Sequence, residues 1–183
     1  LTIVCSTLRP KAWQRLVIYA LIVTISRHHM AFKAARHYAH FLVTQADYLM
    51  DMAAQITQLL YQVMPAAERQ GLYVSEVNLP QVSCVMPFKP SQLRPGNTLS
   101  GPTMMTLADV CMYAVVLAID ERQTMAVTQD FQIHFLSRPE PHDLVGTATA
   151  LKIGRRSMVM RVDLYSGERL VAHATGSYAL VQL

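Results

Sequence analysis

SGPTMMTLADVCMYAVVLAI, residues 100–119, reads as one long apolar helix of about five turns, with a single carboxylate, Asp109, near its middle. Proline is favoured at the first helical position, so Pro102 is expected to open the helix and hold Gly101 at its threshold. Ser100, just before them, is a natural N-cap. A carboxylate on a helix that is oily around most of its circumference is costly to bury without a partner. Asp109 must therefore reach solvent, pair with a cation, or be put to use. A helix this apolar also cannot stand alone and needs other elements to cover it.

The chain that follows can supply the cover. MAVTQDFQIHFL, residues 125–136, alternates, with Met125, Val127, Phe131, Ile133 and Phe135 on one face and Thr128, Asp130, Gln132 and His134 on the other. That is the pattern of a half-buried antiparallel strand. After the breaker SRPEPHD come DLVGTATALKI, a turn at GRR, SMVMRVDLY, a turn at SGE, and RLVAHATGSYALVQL. Turn signals at such short spacings predict a meander of hairpins, about four strands in all. An α+β architecture results, an antiparallel sheet wrapped around a long central helix. A sheet this size leaves an open edge and exposed apolar surface, so pairing with a second copy is expected.

Upstream, MAAQITQLLYQVMPAAERQ, residues 52–70, is expected to be a helix with Ile56, Leu59, Leu60 and Val63 on one face and Gly71 as its stop. LYVSEVNLPQVSCVMPFKP, broken by Pro80 and Pro87, is expected to be an edge or irregular strand. The polar loop SQLRPGNTLSG then leads into the central helix.

The first 46 residues differ in kind. They carry six Lys or Arg and no acid, whereas the rest of the 183-residue chain holds ten bases against twelve acids. The basic pI of 9.1 therefore belongs to this segment, and the main domain lacks the basic face that nucleic-acid binding wants. From Lys11 to Met64 there is neither Gly nor Pro, so the segment reads as helix-prone. Two expectations follow: residues 1–46 are an upstream-translated extension of a domain, 47–183, that starts near Met50 or Met52, or they form a basic apolar helix that lies on a membrane surface or a partner. LVIYALIVTIS has eleven residues, about half of what crosses a bilayer, and no small-x-small site follows it, so neither a span nor a signal peptide is expected. His28, His29, His37 and His40 lack acidic or thiol companions and are read as solvated, with no metal expected. Cys5, Cys84 and Cys111 form neither a disulfide framework nor a zinc knuckle, which makes a reducing cytoplasm the expected compartment.

Four motifs in order, RPGNTLSGPTMMTLAD (94–109), AVTQDFQIHFLSRP (126–139), LKIGRRSMVMRVDLYS (151–166) and VAHATGSYAL (171–180), carry a resemblance. From Pro87 to Leu180 the chain resembles the PaaI-like, phenylacetic-acid-degradation-type acyl-CoA thioesterases of the hotdog fold. The resemblance implies that Asp109 attacks, or activates water to attack, the thioester carbonyl. It implies that the backbone N–H of Gly101, eight residues earlier, receives the carbonyl oxygen. First-turn amides lack intrahelical partners and sit at the positive end of the helix dipole, which suits an oxyanion. It also implies a homodimer, or a dimer of dimers, whose two copies each bring one of these groups, and no cofactor. Many members read His-Gly-Gly where this chain has Ser100, Gly101 and Pro102, so the substrate-orienting histidine is absent, and Ser100 either caps the helix or meets the substrate.

Gly154, Arg155, Arg156 and Ser157 occupy a hairpin that resembles the family's coenzyme A contact region, where cations meet phosphates. Tyr113, one turn after Asp109, is expected to line the acyl pocket. Met104, Met105, Met112 and Val116 suggest a lining for an aromatic or medium-chain acyl group. His134 and Asp130, on the face opposite the strand's apolar residues, are read either as neighbours of the cleft or as surface polars, and His173 as a satisfied strand histidine. The expected function is hydrolysis of an acyl-CoA to a free acid and coenzyme A. The alternative is an acyl-CoA or acyl-lipid binding protein with little turnover. A hydratase would want an Asp and His loop motif that the chain lacks.

Overall fold

The computed structural model describes residues 52–182, which lie within the unit Leu49–Leu183. The readings made above for residues 1–46, including the four histidines and Cys5, fall outside the described residues. The expected helix over residues 52–70 is two helices, α1 (residues 52–63) and α2 (Pro65–Gln70). Pro65 has no N–H to continue the ladder and disfavours helical geometry in the residue before it; Met64 sits at φ −135, ψ 78. Ile56 and Leu60 of α1 are buried, while Val63 is 36% exposed. Gly71, at φ 72, ends α2 in the left-handed conformation that favours glycine.

The stretch that Pro80 and Pro87 punctuate is a hairpin rather than one irregular strand. β1 (Tyr73–Asn78) and β2 (Gln81–Met86) pair antiparallel, with Pro80 in the turn between them, where no ladder N–H is required. Two very short strands, β3 (Leu93–Arg94) and β4 (Thr98–Leu99), close the loop before the central helix α3 (Gly101–Ile119). β5 (Val127–Phe135), β6 (Leu144–Ile153), β7 (Ser157–Ser166) and β8 (Arg169–Ala179) follow.

Six strands form one antiparallel sheet in the order β1-β2-β6-β7-β8-β5. The hairpin expectation holds for β6, β7 and β8. β5 instead crosses to the far edge and pairs with β8, because SRPEPHD, with Pro139 and Pro141, is too long and stiff for a tight turn. Inward side chains of β6, β7 and β8, among them Ala148, Met160, Val162, Leu164 and Ala174, pack on the central helix, whose residues Leu107, Ala108 and Val110–Leu117 are all at most 5% exposed. The helix is long and apolar enough to cross a membrane, but in this fold it is the core. This is the hotdog arrangement, α+β, with an antiparallel sheet wrapped around a long central helix.

Two glycines of the sheet sit where a side chain has no room. A Cβ on Gly146 would lie 2.5 Å from Cys111 Sγ and 2.9 Å from Leu164 Cδ2, and one on Gly176 would lie 2.7 Å from the Asp130 carbonyl oxygen. Gly146→Ala is therefore expected to destabilise the domain by about 1–3 kcal/mol through overpacking. A thermal melt should register it as a fall of several degrees in Tm with the far-UV spectrum unchanged.

Candidate active site

The central helix turns Asp109 toward the junction of β5 and β8. Its Oδ1 accepts hydrogen bonds from the Thr128 hydroxyl at 2.8 Å and the Tyr178 hydroxyl at 2.8 Å. The Tyr178 hydroxyl also lies 3.2 Å from the Asp109 carbonyl oxygen. Hydrogen bonds to a charged group contribute about 1.5–3 kcal/mol each, so these two answer the cost of a half-buried carboxylate on an apolar helix. Among the described residues Oδ2 has no partner, which leaves one oxygen of Asp109 open.

Neither hydroxyl was expected here. Strict alternation puts Thr128 outward with Asp130, Gln132 and His134, but the β5–β8 register slips between Thr128 and Asp130. The extra residue, Gln129, is a bulge that reverses the facing of everything before it. Thr128 therefore turns to the helix, while Met125 and Val127, expected on the covered face, are 74% and 61% exposed. Tyr178 belongs to the inward row of β8 with Ala172, Ala174 and Gly176, and is 3% exposed. Burial first, and then the adjacent Asp109 carboxylate, push its hydroxyl well above the ordinary tyrosine range. It therefore stays a protonated donor.

Tyr113, expected to line an acyl pocket, supports this clamp instead. It is 5% exposed, stacks on Tyr178 with ring centroids 5.8 Å apart, and donates its hydroxyl to the Thr124 carbonyl at 2.8 Å. Tyr178→Phe is expected to lower kcat about tenfold at constant KM, the effect of losing one charge-assisted hydrogen bond. Steady-state kinetics on the folded variant checks this, and an unchanged kcat would contradict it.

The head of the helix is a second centre. Ser100 is the N-cap; its Oγ accepts from the Thr103 N–H at 3.4 Å and lies 2.8 Å from Thr103 Oγ1. The Met104 N–H reaches the Ser100 carbonyl at 3.3 Å. The helix begins at Gly101, one residue before the expected start, and Pro102 has no N–H. Among the described residues, the Gly101 N–H is thus the one first-turn donor left without a partner. A Cβ on Gly101 would stand 3.3 Å from Phe135 Cζ, so the absence of a side chain lets that ring lie against the helix head. Beside them is a cavity of about 420 Å³, walled by Leu99, Met104, Phe135 and Leu136, with Arg94 and Arg138 also on its lining. Of the other apolar helix residues expected to line an acyl site, Met112 and Val116 are wholly buried in the core and Met105 is 41% exposed.

Gly154, Arg155, Arg156 and Ser157 form the β6–β7 turn, closed by the Gly154 N–H to the Ser157 carbonyl at 3.0 Å. Both arginines are exposed. Ser157 pairs with Ala179, which pairs with Val127, so the turn sits at the Asp109 end of the sheet. Phe135 marks the opposite, Gly101 end. His173 is on the outward face, with its Nδ1 2.6 Å from Asp163 Oδ1, and exposed His134 is its neighbour across β5. Among the described residues no three His, Cys, Asp or Glu side chains converge as a metal site would require.

Residues 96–173 match the sequence profile of the thioesterase superfamily. Among solved structures, a Silicibacter protein assigned as a thioesterase is similar at 32% identity and a TM-score of 0.64, over 71% of this chain and 92% of that one. A Haemophilus influenzae thioesterase shares the fold at 20% identity and a TM-score of 0.63, over 72% of this chain and 91% of that one. The E. coli PaaI protein from the phenylacetic acid degradation operon also shares it, at 18% identity and a TM-score of 0.62, over 73% of this chain and 96% of that one. No curated protein matches the chain.

Proposed function

The chain belongs to the thioesterase superfamily, and from that membership we propose that it hydrolyses acyl-CoA thioesters, with Asp109 as the activating carboxylate and the Gly101 N–H as the oxyanion donor. The observation that carries the reading is the state of these two groups. Asp109 is gripped through Oδ1 by Thr128 and Tyr178 and open at Oδ2, and Gly101 holds the one unpartnered N–H of the helix head.

Eight residues of helix separate them, about 12 Å of rise, which is too far for both to reach one carbonyl. Each site therefore combines Asp109 of one copy with Gly101 of another, in a homodimer. In this arrangement Oδ2 takes a proton from water as the water oxygen attacks the thioester carbon, and the developing oxyanion is received by the Gly101 N–H. Collapse of the tetrahedral intermediate breaks the C–S bond, and the proton held by Asp109 returns to the departing sulfur. A thiolate leaves readily, so no strong general acid is required. Arg155 and Arg156, at the Asp109 end, face the coenzyme A phosphates.

The test is hydrolysis of a panel of acyl-CoAs, followed by release of free thiol. The expected result is turnover of at least one aromatic or medium-chain member. Saturable binding without thiol release would make the protein an acyl-CoA carrier and overturn the reading.

A further inference from the structure

We propose that the cavity beside Gly101 is an acyl subsite for a group that ends in a carboxylate, which Arg94 and Arg138 bind. The inference rests on the thioesterase reading above and names the substrate class: mono-thioesters of dicarboxylic acids.

The lining of the cavity combines apolar side chains with two arginines. Leu99, Met104, Phe135 and Leu136 can enclose methylenes, and the volume of about 420 Å³ accepts a short chain. Arg94 and Arg138 belong to the same lining, and among the described residues neither has a salt bridge or a side-chain hydrogen bond. Arg138 also borders a second cavity whose lining includes Glu140 and Glu168, but it pairs with neither: Glu140 lies 3.4 Å from His142 Nε2 and 3.9 Å from Arg169 Nη2. A wholly aliphatic acyl group would leave both arginines to solvent and make no use of them. A terminal carboxylate would give them an anion, in the forked geometry guanidinium groups favour.

The direction of the substrate selects the acyl end over the coenzyme. Arg155 and Arg156 stand at the Asp109 end of the sheet, whereas this cavity stands at the Gly101 end. A thioester held between Asp109 of one copy and Gly101 of the other runs its nucleotide toward the first copy's hairpin. Its acyl group then runs past Gly101 into the second copy's cavity. Hydrolysis there is the same reaction, water plus thioester giving a dicarboxylate and the free thiol.

Binding tests this without requiring turnover. Calorimetric titration of the Asp109→Asn protein with adipyl-CoA and hexanoyl-CoA compares six-carbon acyl groups with and without the distal carboxylate; succinyl/butyryl and suberyl/octanoyl pairs extend the length range. For at least one pair the carboxylated member should bind about tenfold more tightly, the scale of a charge-assisted contact. Adding Arg94→Gln and Arg138→Gln should erase that preference while leaving the Kd of the neutral member unchanged. Both arginines are exposed, so the variant should melt as its parent does.

Equal affinity within every pair, or no binding of any member, overturns the proposal. So does a loss that falls equally on both members, which would mean that the arginines read coenzyme phosphates. If the wild type hydrolyses hexanoyl-CoA yet shows no carboxylate preference, this inference fails alone. If no thioester is hydrolysed, the thioesterase reading fails, and the binding preference is still decided.

Discussion

Asp109→Asn should lower kcat by about a thousandfold, within the range that a positioned general base contributes, and leave KM for acyl-CoA nearly unchanged. Asparagine keeps the size of the side chain, and its carbonyl oxygen can still accept from Thr128 and Tyr178, so the clamp and the fold should survive. What disappears is the carboxylate oxygen proposed to take the proton from water. Thiol release under saturating substrate measures the effect, and circular dichroism and a melt confirm that the variant is folded. A variant that folds and turns over at the wild-type rate would remove Asp109 from the mechanism while leaving the fold and family untouched.

Gly101→Pro should cost about 100- to 1,000-fold in kcat, the scale of losing one oxyanion donor. The substitution deletes a single hydrogen-bond donor and the backbone tolerates it. Proline suits the first helical position, and the residue before it, Ser100, already has the extended geometry that proline demands, at φ −77 and ψ 153. The proline ring would press on Phe135, whose Cζ is 3.3 Å from the missing Cβ, and that ring is exposed enough to shift. Gly101→Ala is the companion variant: it adds the same first carbon and keeps the N–H. It should retain most of the activity, and a loss as deep as that of the proline variant would assign the effect to crowding rather than to the donor.

The long-range parts of the fold were the least legible in the sequence. The oily run at 100–119, the alternation over 125–136 and the turn signals between the last three strands point directly to a helix and a sheet around it. The pairing of β5 with β8 depends on residues some forty positions apart and leaves no local pattern. Pro80 reads as an interruption because a proline inside a strand and a proline in the turn of a hairpin look alike until the partner strand is known.

At the site, Asp109 stands out as the lone carboxylate of the helix, and Gly101 as the glycine at its head. The clamp does not stand out. Thr128 hides because Gln129 adds a residue to the strand, and the one clue is that Gln129 falls on the otherwise apolar face. Tyr178 ends an inward row of alanines and a glycine, and its size is the only local sign that it reaches something. Tyr113 shares a face with Asp109 as helical spacing requires, but that spacing could not show that a second tyrosine occupies the space in front of it.

The proposed division of each site between two copies is tested most directly by mixing. Co-expression of the Asp109→Asn and Gly101→Pro chains, each nearly inactive alone, allows mixed dimers. Of the two sites in a mixed dimer, one carries both lesions and the other carries neither. With random pairing, thiol release should recover to about one quarter of the wild-type rate per chain. If Asp109 and Gly101 of the same chain formed the site, every site in the mixture would hold one lesion, and a rate no higher than that of the separate variants would contradict the shared site.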